Sequence, residues 1–134
     1  MAGEKNLITL IQKMTPELQP GEYVFATVKT IDTIPRKDTI CEFKEKEGIT
    51  IVLERKKADN LNLDYKFVAS WITLKIHSSL DAIGLTAAFS AELAAHQISC
   101  NVIAGYYHDH IFVNKRDGKK TIEVLKNLSK TYKG

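Results

Sequence analysis

WITLKIHSSLDAIGLTAAFSAELAAHQISCNVIAGYYHDHIFV, residues Trp71–Val113, decides how the whole chain folds. Phe67–His77 is apolar on both sides, with Val68, Ile72, Leu74 and Ile76 on one and Phe67, Ala69, Trp71 and Thr73 on the other. Such a strand belongs inside a sheet, because an exposed edge of this kind invites aggregation. A polar turn marked by Gly84 follows. Leu85, Phe89 and Leu93 then recur at helical spacing towards His96, with Ala82 in phase. Ser79 or Asp81 is placed to cap that helix, and Ala87, Ala88, Ala91, Ala94 and Ala95 let it lie close to a sheet. Strands at Ile98–Ala104 and His108–Asn114 meet at Gly105-Tyr106-Tyr107. Asp117-Gly118 opens a last helix with Ile122, Leu125 and Leu128 on its inner stripe. The order is β-α-β-β-α.

Leu7, Leu10, Ile11 and Met14 form a short amphipathic stripe, with Pro16, Pro20 and Gly21 read as the turn that ends it. Glu22–Lys29 is rich in β-branched and aromatic residues and reads as a strand. Thr30–Asp38 is an exposed connection. Cys41–Lys46 alternates, giving a strand with Cys41, Phe43 and Glu45 on one face, and Glu47-Gly48 turns into Ile49–Glu54. Arg55–Leu63 is one or two turns of helix. The chain divides into residues 1–66 and 67–134, and neither half is a closed α+β unit alone. The halves are expected to share or exchange strands, or to have an open edge covered by a partner chain.

Composition narrows the function. The 134 residues are 44% hydrophobic and 26% charged, an ordinary balance for a globular protein, and no run approaches a membrane span. MAGEKNLITL lacks the pattern of a signal peptide, so a cytoplasmic location is expected. The formal charge of +3, with lysines gathered on the terminal helix, is too small and too poor in interleaved aromatics for a nucleic-acid binder. Cys41 and Cys100 have no CxxC spacing and read as structural thiols. There is no GxSxG, no P-loop and no GxGxxG after a strand, so no catalytic centre or cofactor is expected.

Chemistry concentrates in the turn His77–Gly84. Free N–H groups at a helix start attract a carboxylate, Ser78 and Ser79 add hydroxyls, Asp81 suits an ammonium group, and Gly84 leaves room for close approach. Helix capping by Ser79 and Asp81 explains the same residues without any ligand. Asn101 stands in an otherwise apolar strand, where it bonds either a ligand or a neighbouring backbone. His108 and His110 share a strand face, and His77 is a conceivable third metal ligand, but a lone HxH pair is weakly specific.

GLTAAFSAELAAHQISCNVIAGYYHDHIFV (Gly84–Val113) resembles the regulatory ACT domains of aspartokinases. With GEYVFATV (Gly21–Val28), EGITIVL (Glu47–Leu53) and HSSLDAIGLTAAFS (His77–Ser90), the whole chain is similar to small stand-alone bacterial proteins of tandem ACT-like domains. A weaker likeness runs to the cytosolic arginine sensors of eukaryotes. The resemblance implies tandem ferredoxin-like βαββαβ modules, with antiparallel sheets and helices on one face. It also implies amino-acid binding near the first strand–helix turn. Carried onto this chain, the implied ligand residues are Ser78, Ser79, Leu80, Asp81, Ile83 and Gly84, with Asn101, Val102 and Ile103 on the neighbouring strand. The expectation is therefore a non-enzymatic regulatory protein that binds a small effector, an amino acid, and forms a homodimer. The rival expectations are an interaction module with no ligand, and metal binding at the histidines.

Overall fold

The computed structural model describes residues 6–76 and 81–134. In chain order it contains α1 (Leu7–Lys13), β1 (Thr15–Leu18), β2 (Tyr23–Val28), a 3-10 turn (Arg36–Asp38), β3 (Thr39–Lys44), β4 (Ile49–Glu54) and α2 (Arg55–Asn60). There follow β5 (Val68–Lys75), α3 (Leu85–Ala95), β6 (Asn101–Ala104), β7 (Asp109–Asn114), a second 3-10 turn (Lys115–Asp117) and α4 (Gly118–Thr131). The fold is α+β, with antiparallel strand pairing in every recorded register. Two compact units divide it: Met1–Gln19 with Ser70–Gly134, and Pro20–Ala69. Strand β5 crosses the boundary.

In the first unit the strand order is β1-β5-β7-β6. Taken as β5-α3-β6-β7-α4-β1, this is the βαββαβ arrangement, with the closing strand supplied from the N-terminal side. Residues Thr15–Leu18 pair antiparallel with Ile72–Lys75. The expected turn at Pro16 is thus corrected: Met14 ends α1 in an extended conformation and a strand follows at once. Proline is tolerated there because β1 pairs only with β5 among the described residues. Gln19 N–H donates to the Trp71 carbonyl. Alternation along the strand then turns position 16 to the free edge, where no donor is needed.

The core of this unit lies between the sheet and α1, α3 and α4. Ile72, Leu74, Ile111 and Val113 meet Leu10, Ile11, Leu85, Phe89, Leu93, Leu125 and Leu128, all buried. The inner stripe of α3 is Leu85, Phe89 and Leu93, as its periodicity requires. That helix closes on Gln97 at φ +63°, with Ile98 N–H donating to Leu93 O and Gln97 N–H to Ala94 O. These two bonds satisfy carbonyls that the last turn would otherwise leave bare.

In the second unit the order is β3-β4-β2, with Val68 and Ala69 of β5 pairing on the far side of β2. Tyr23–Val28 runs against Ile49–Glu54 in full register. Val24, Ala26, Ile51, Leu53 and Ala58 form its core. Residues 29–38 contain no α-helix. Ile34, 5% exposed, fills the space from the loop instead. Phe43, which alternation places on one face of β3 with Cys41, is 71% exposed. Its register partner is Thr50, on the opposite face from Ile51 and Leu53, which fill the core.

Candidate functional site

The turn before α3 is built from the C-terminal end of β5 and the start of the helix. Ser78, Ser79 and Leu80, together with His77, lie outside the described residues. Asp81 is exposed, and so is Ile83, at 86%. The helix cap is Gly84, with φ +95° and ψ −10°, and no side chain accepts from the first turn through that residue. This corrects the expectation for Asp81, which stands three residues too early to cap a helix beginning at Leu85. Gly84 O accepts the Ala88 N–H at 2.9 Å, so the helical ladder starts there. A β-carbon on Gly84 would lie 3.0 Å from Leu7 Cδ2, so α1 closes one side of the turn.

The neighbouring-strand residues divide. Val102 points to the helix side and packs against the core, whereas Asn101 and Ile103 alternate to the other face. Asn101 is opposite Phe112, and its Nδ2 donates to the Phe112 carbonyl at 3.2 Å. Phe112 in turn stacks on Trp71, with centroids 6.1 Å apart and planes at 17°. Asn101 is thereby level with Trp71, four residues back from the end of β5, or about 13 Å at 3.3 Å per residue. The structure brings Gly84 and Asp81 together at the turn, and it ties Asn101 to the sheet backbone away from them.

A network that the sequence did not announce lies on the face opposite the helices. Gln19 Nε2 donates to Thr73 Oγ1 at 3.0 Å, and Thr73 Oγ1 lies 3.1 Å from His110 Nδ1. Trp71 Nε1 donates to the same His110 Nδ1 at 3.1 Å. An indole N–H is only a donor, so Nδ1 must accept, and the proton of a neutral ring must sit on Nε2. Burial, reinforced by His108, pushes the His110 pKa below 6.5, against the opposing pull of Asp109. Burial likewise raises the carboxyl of Asp109, with both histidines opposing. In this state neither nitrogen of His110 has a lone pair to offer a metal. Among the described residues no group of three or more His, Cys, Asp or Glu is disposed to hold one. Trp71 is half-buried here. Its spacing from Thr73 marks a shared strand face, but Gln19 and His110 come from segments too distant for any local pattern to reveal.

Comparison with known proteins follows this geometry. Two consecutive family models, both described as ACT domain, match residues 2–70 and 66–127. No curated protein matches the sequence. A solved structure from Vibrio cholerae, a protein of unknown function described as a possible transport protein, is 47% identical. It covers 93% of this chain and 97% of its own, with a TM-score of 0.83. An Agrobacterium tumefaciens protein is 19% identical over 87% of this chain and 89% of its own, with a TM-score of 0.66. The aspartate kinase of Clostridium acetobutylicum is 11% identical over 86% of this chain and 34% of its own, with a TM-score of 0.59. The last two likenesses are of fold alone.

Proposed function

We propose a sensing role for this chain, which belongs to the ACT-domain family: it binds a small effector, an amino acid, at the turn before α3 and catalyses nothing itself. The observation that carries this reading is the start of α3. An eleven-residue helix begins at a glycine whose bare Cα offers no capping group. First-turn N–H groups left in that state favour a carboxylate, and the helix dipole adds to the attraction. Ser78 and Ser79 supply hydroxyls to the same group, Asp81 takes the ammonium, and Leu80 and Ile83 border the side chain. The family resemblance assigns the rest of the ligand to Asn101, Val102 and Ile103 on β6, of which Asn101 donates to the Phe112 carbonyl. The thinness of catalytic motifs and the regulatory character of ACT domains support a non-enzymatic role, and no helix among the described residues is long and apolar enough to cross a membrane. A cytoplasmic homodimer, whose assembly the effector shifts by binding one arrangement more tightly, completes the reading.

A screen of the common amino acids by thermal shift tests it. A ligand at ten times its Kd stabilises the folded state by about 1.4 kcal/mol, a readily measured rise in Tm. At least one amino acid should produce it, and Asp81→Ala should reduce it. No response to any of them overturns the reading. A second reading, an interaction module with no ligand, draws on Phe43, Tyr106 and Tyr107, exposed by 71%, 71% and 67%. Self-association lost in Phe43→Ser or Tyr106→Ser, with no ligand response in any variant, would select it.

A further inference from the structure

We infer that the second unit holds a separate site for a small zwitterion, formed where β2 begins and β4 passes into α2. A hollow of about 410 Å³ opens there, lined by Gly21, Glu22, Glu54, Arg55, Lys56 and Asp59. It lies at the opposite end of β2 from residues 29–38, the segment that corresponds to the α3 turn of the first unit. It is therefore not a second copy of the site proposed above, and it does not depend on that proposal.

The charges around the hollow sort themselves by pairing. Arg55 Nη1 binds Glu22 Oε1 at 3.1 Å, and Arg55 Nε donates to the Tyr65 hydroxyl at 2.9 Å. Lys57 Nζ lies 3.6 Å from Glu54 Oε1 and 3.3 Å from Asp38 Oδ1, so Glu54 is matched too. Two groups remain without an ion-pair partner among the described residues, the ammonium of Lys56 and the carboxylate of Asp59. They stand three positions apart on α2 and are not paired with each other. Asp59 Oδ1 accepts from Tyr65 at 2.7 Å, and that same hydroxyl accepts from Arg55. The carboxylate is thus held in orientation while keeping its charge uncompensated.

A hollow with one unmatched cation, one unmatched anion and a fixed guanidinium fits a molecule carrying both charges close together. The ligand's carboxylate meets Lys56 and the remaining N–H groups of Arg55, and its ammonium meets Asp59. Gly21, at φ +97°, keeps the lip free of a side chain, and the nearest atom to an added β-carbon would be Tyr23 Oη at 3.6 Å. A larger anion without an ammonium would leave Asp59 opposed by a like charge, which argues against nucleotides and dicarboxylates.

Amide chemical shifts of the full-length protein, recorded with each of the twenty amino acids at about 10 mM, test the inference. At least one should move the Gly21, Lys56 and Asp59 amides saturably, and should still do so in Asp81→Ala. Asp59→Asn and Lys56→Gln, both exposed and compatible with the fold, should each weaken that response about tenfold. Sodium acetate or methylammonium chloride alone should not reproduce it. Shifts confined to Gly84–Ala88, no saturable shift at the three amides, or an equal response to either single-charge salt would overturn it.

Discussion

Replacing Gly84 probes the turn more directly than any other substitution. Its φ of +95° lies where an L-residue is strained. Holding alanine in left-handed backbone costs about 1 to 2 kcal/mol. Loss of glycine's freedom in the unfolded chain returns about 0.4 to 1 kcal/mol. The added methyl would also stand 3.0 Å from Leu7 Cδ2, a side-chain end that gives way by a few tenths of an ångström. Gly84→Ala should therefore destabilise the protein by about 0.5 to 1.5 kcal/mol. Urea unfolding followed by the fluorescence of Trp71, the sole tryptophan, measures this. Gly84→Asn separates the two causes. Asparagine is larger at Leu7 but tolerates left-handed backbone, so it should cost less than alanine. A neutral Gly84→Ala, or an asparagine variant worse than the alanine one, would refute the argument from backbone strain.

His110 titrates below its ordinary 6.5 when folded because burial opposes its charge. Above that value the ring is neutral in both states. Below it the unfolded chain takes up a proton that the folded chain resists, so stability falls by up to about 1.4 kcal/mol per pH unit until the folded ring protonates as well. This slope should shrink in His110→Gln, and nitrogen-detected NMR near neutral pH should find the proton on Nε2; a proton on Nδ1 contradicts the Trp71 bond. Gln97→Gly, relieving the positive φ that closes α3, should stabilise by about 0.5 to 1 kcal/mol in thermal unfolding. Burial pushes the Cys100 thiol up to about 11, so its alkylation at pH 8 should be at least about tenfold slower in the native protein than in urea. Equal rates would contradict its shelter.

Periodicity sufficed where a residue's partners lie along its own element. Leu85, Phe89 and Leu93 mark α3 because the helix turns each of them inward, and the apolar character of Ile72 and Leu74 marks a central strand. It failed where the deciding partner is distant. Pro16 carries a local turn signal, yet it stands opposite Leu74 in a strand that only the tertiary fold supplies. Phe43 alternates correctly with Glu42, but alternation does not say which face a sheet covers. The cap of α3 was misplaced because Asp81 has the right chemistry at the wrong position, whereas Gly84 caps by conformation alone. In the second unit the i,i+3 pair of Glu54 and Lys57 could be read from spacing, whereas nothing local to Arg55 tells that Glu22 neutralises it.

The missing helix between β2 and β3 bears on how many ligands a chain of this kind holds by a single chemistry. In the first unit the strand β5 leads towards a glycine cap at Gly84 and an eleven-residue helix, Leu85–Ala95. In the second unit the same position is residues 29–38, where Ile34 plugs the core and only three residues, Arg36–Asp38, take a 3-10 turn. So short an element aligns too few peptide dipoles to attract an anion as α3 does. On the proposed reading, capture of a carboxylate by main-chain donors of a first helix is therefore open to α3 and not to the matching segment of the second unit. Any ligand of the second unit would be recognised by side-chain charge, which salt screens, whereas hydrogen bonds donated by main-chain N–H groups depend less on ionic strength. Raising ionic strength should weaken binding at Lys56 and Asp59 more steeply than binding at the start of α3, and the opposite order would invert this assignment of chemistry to the two units.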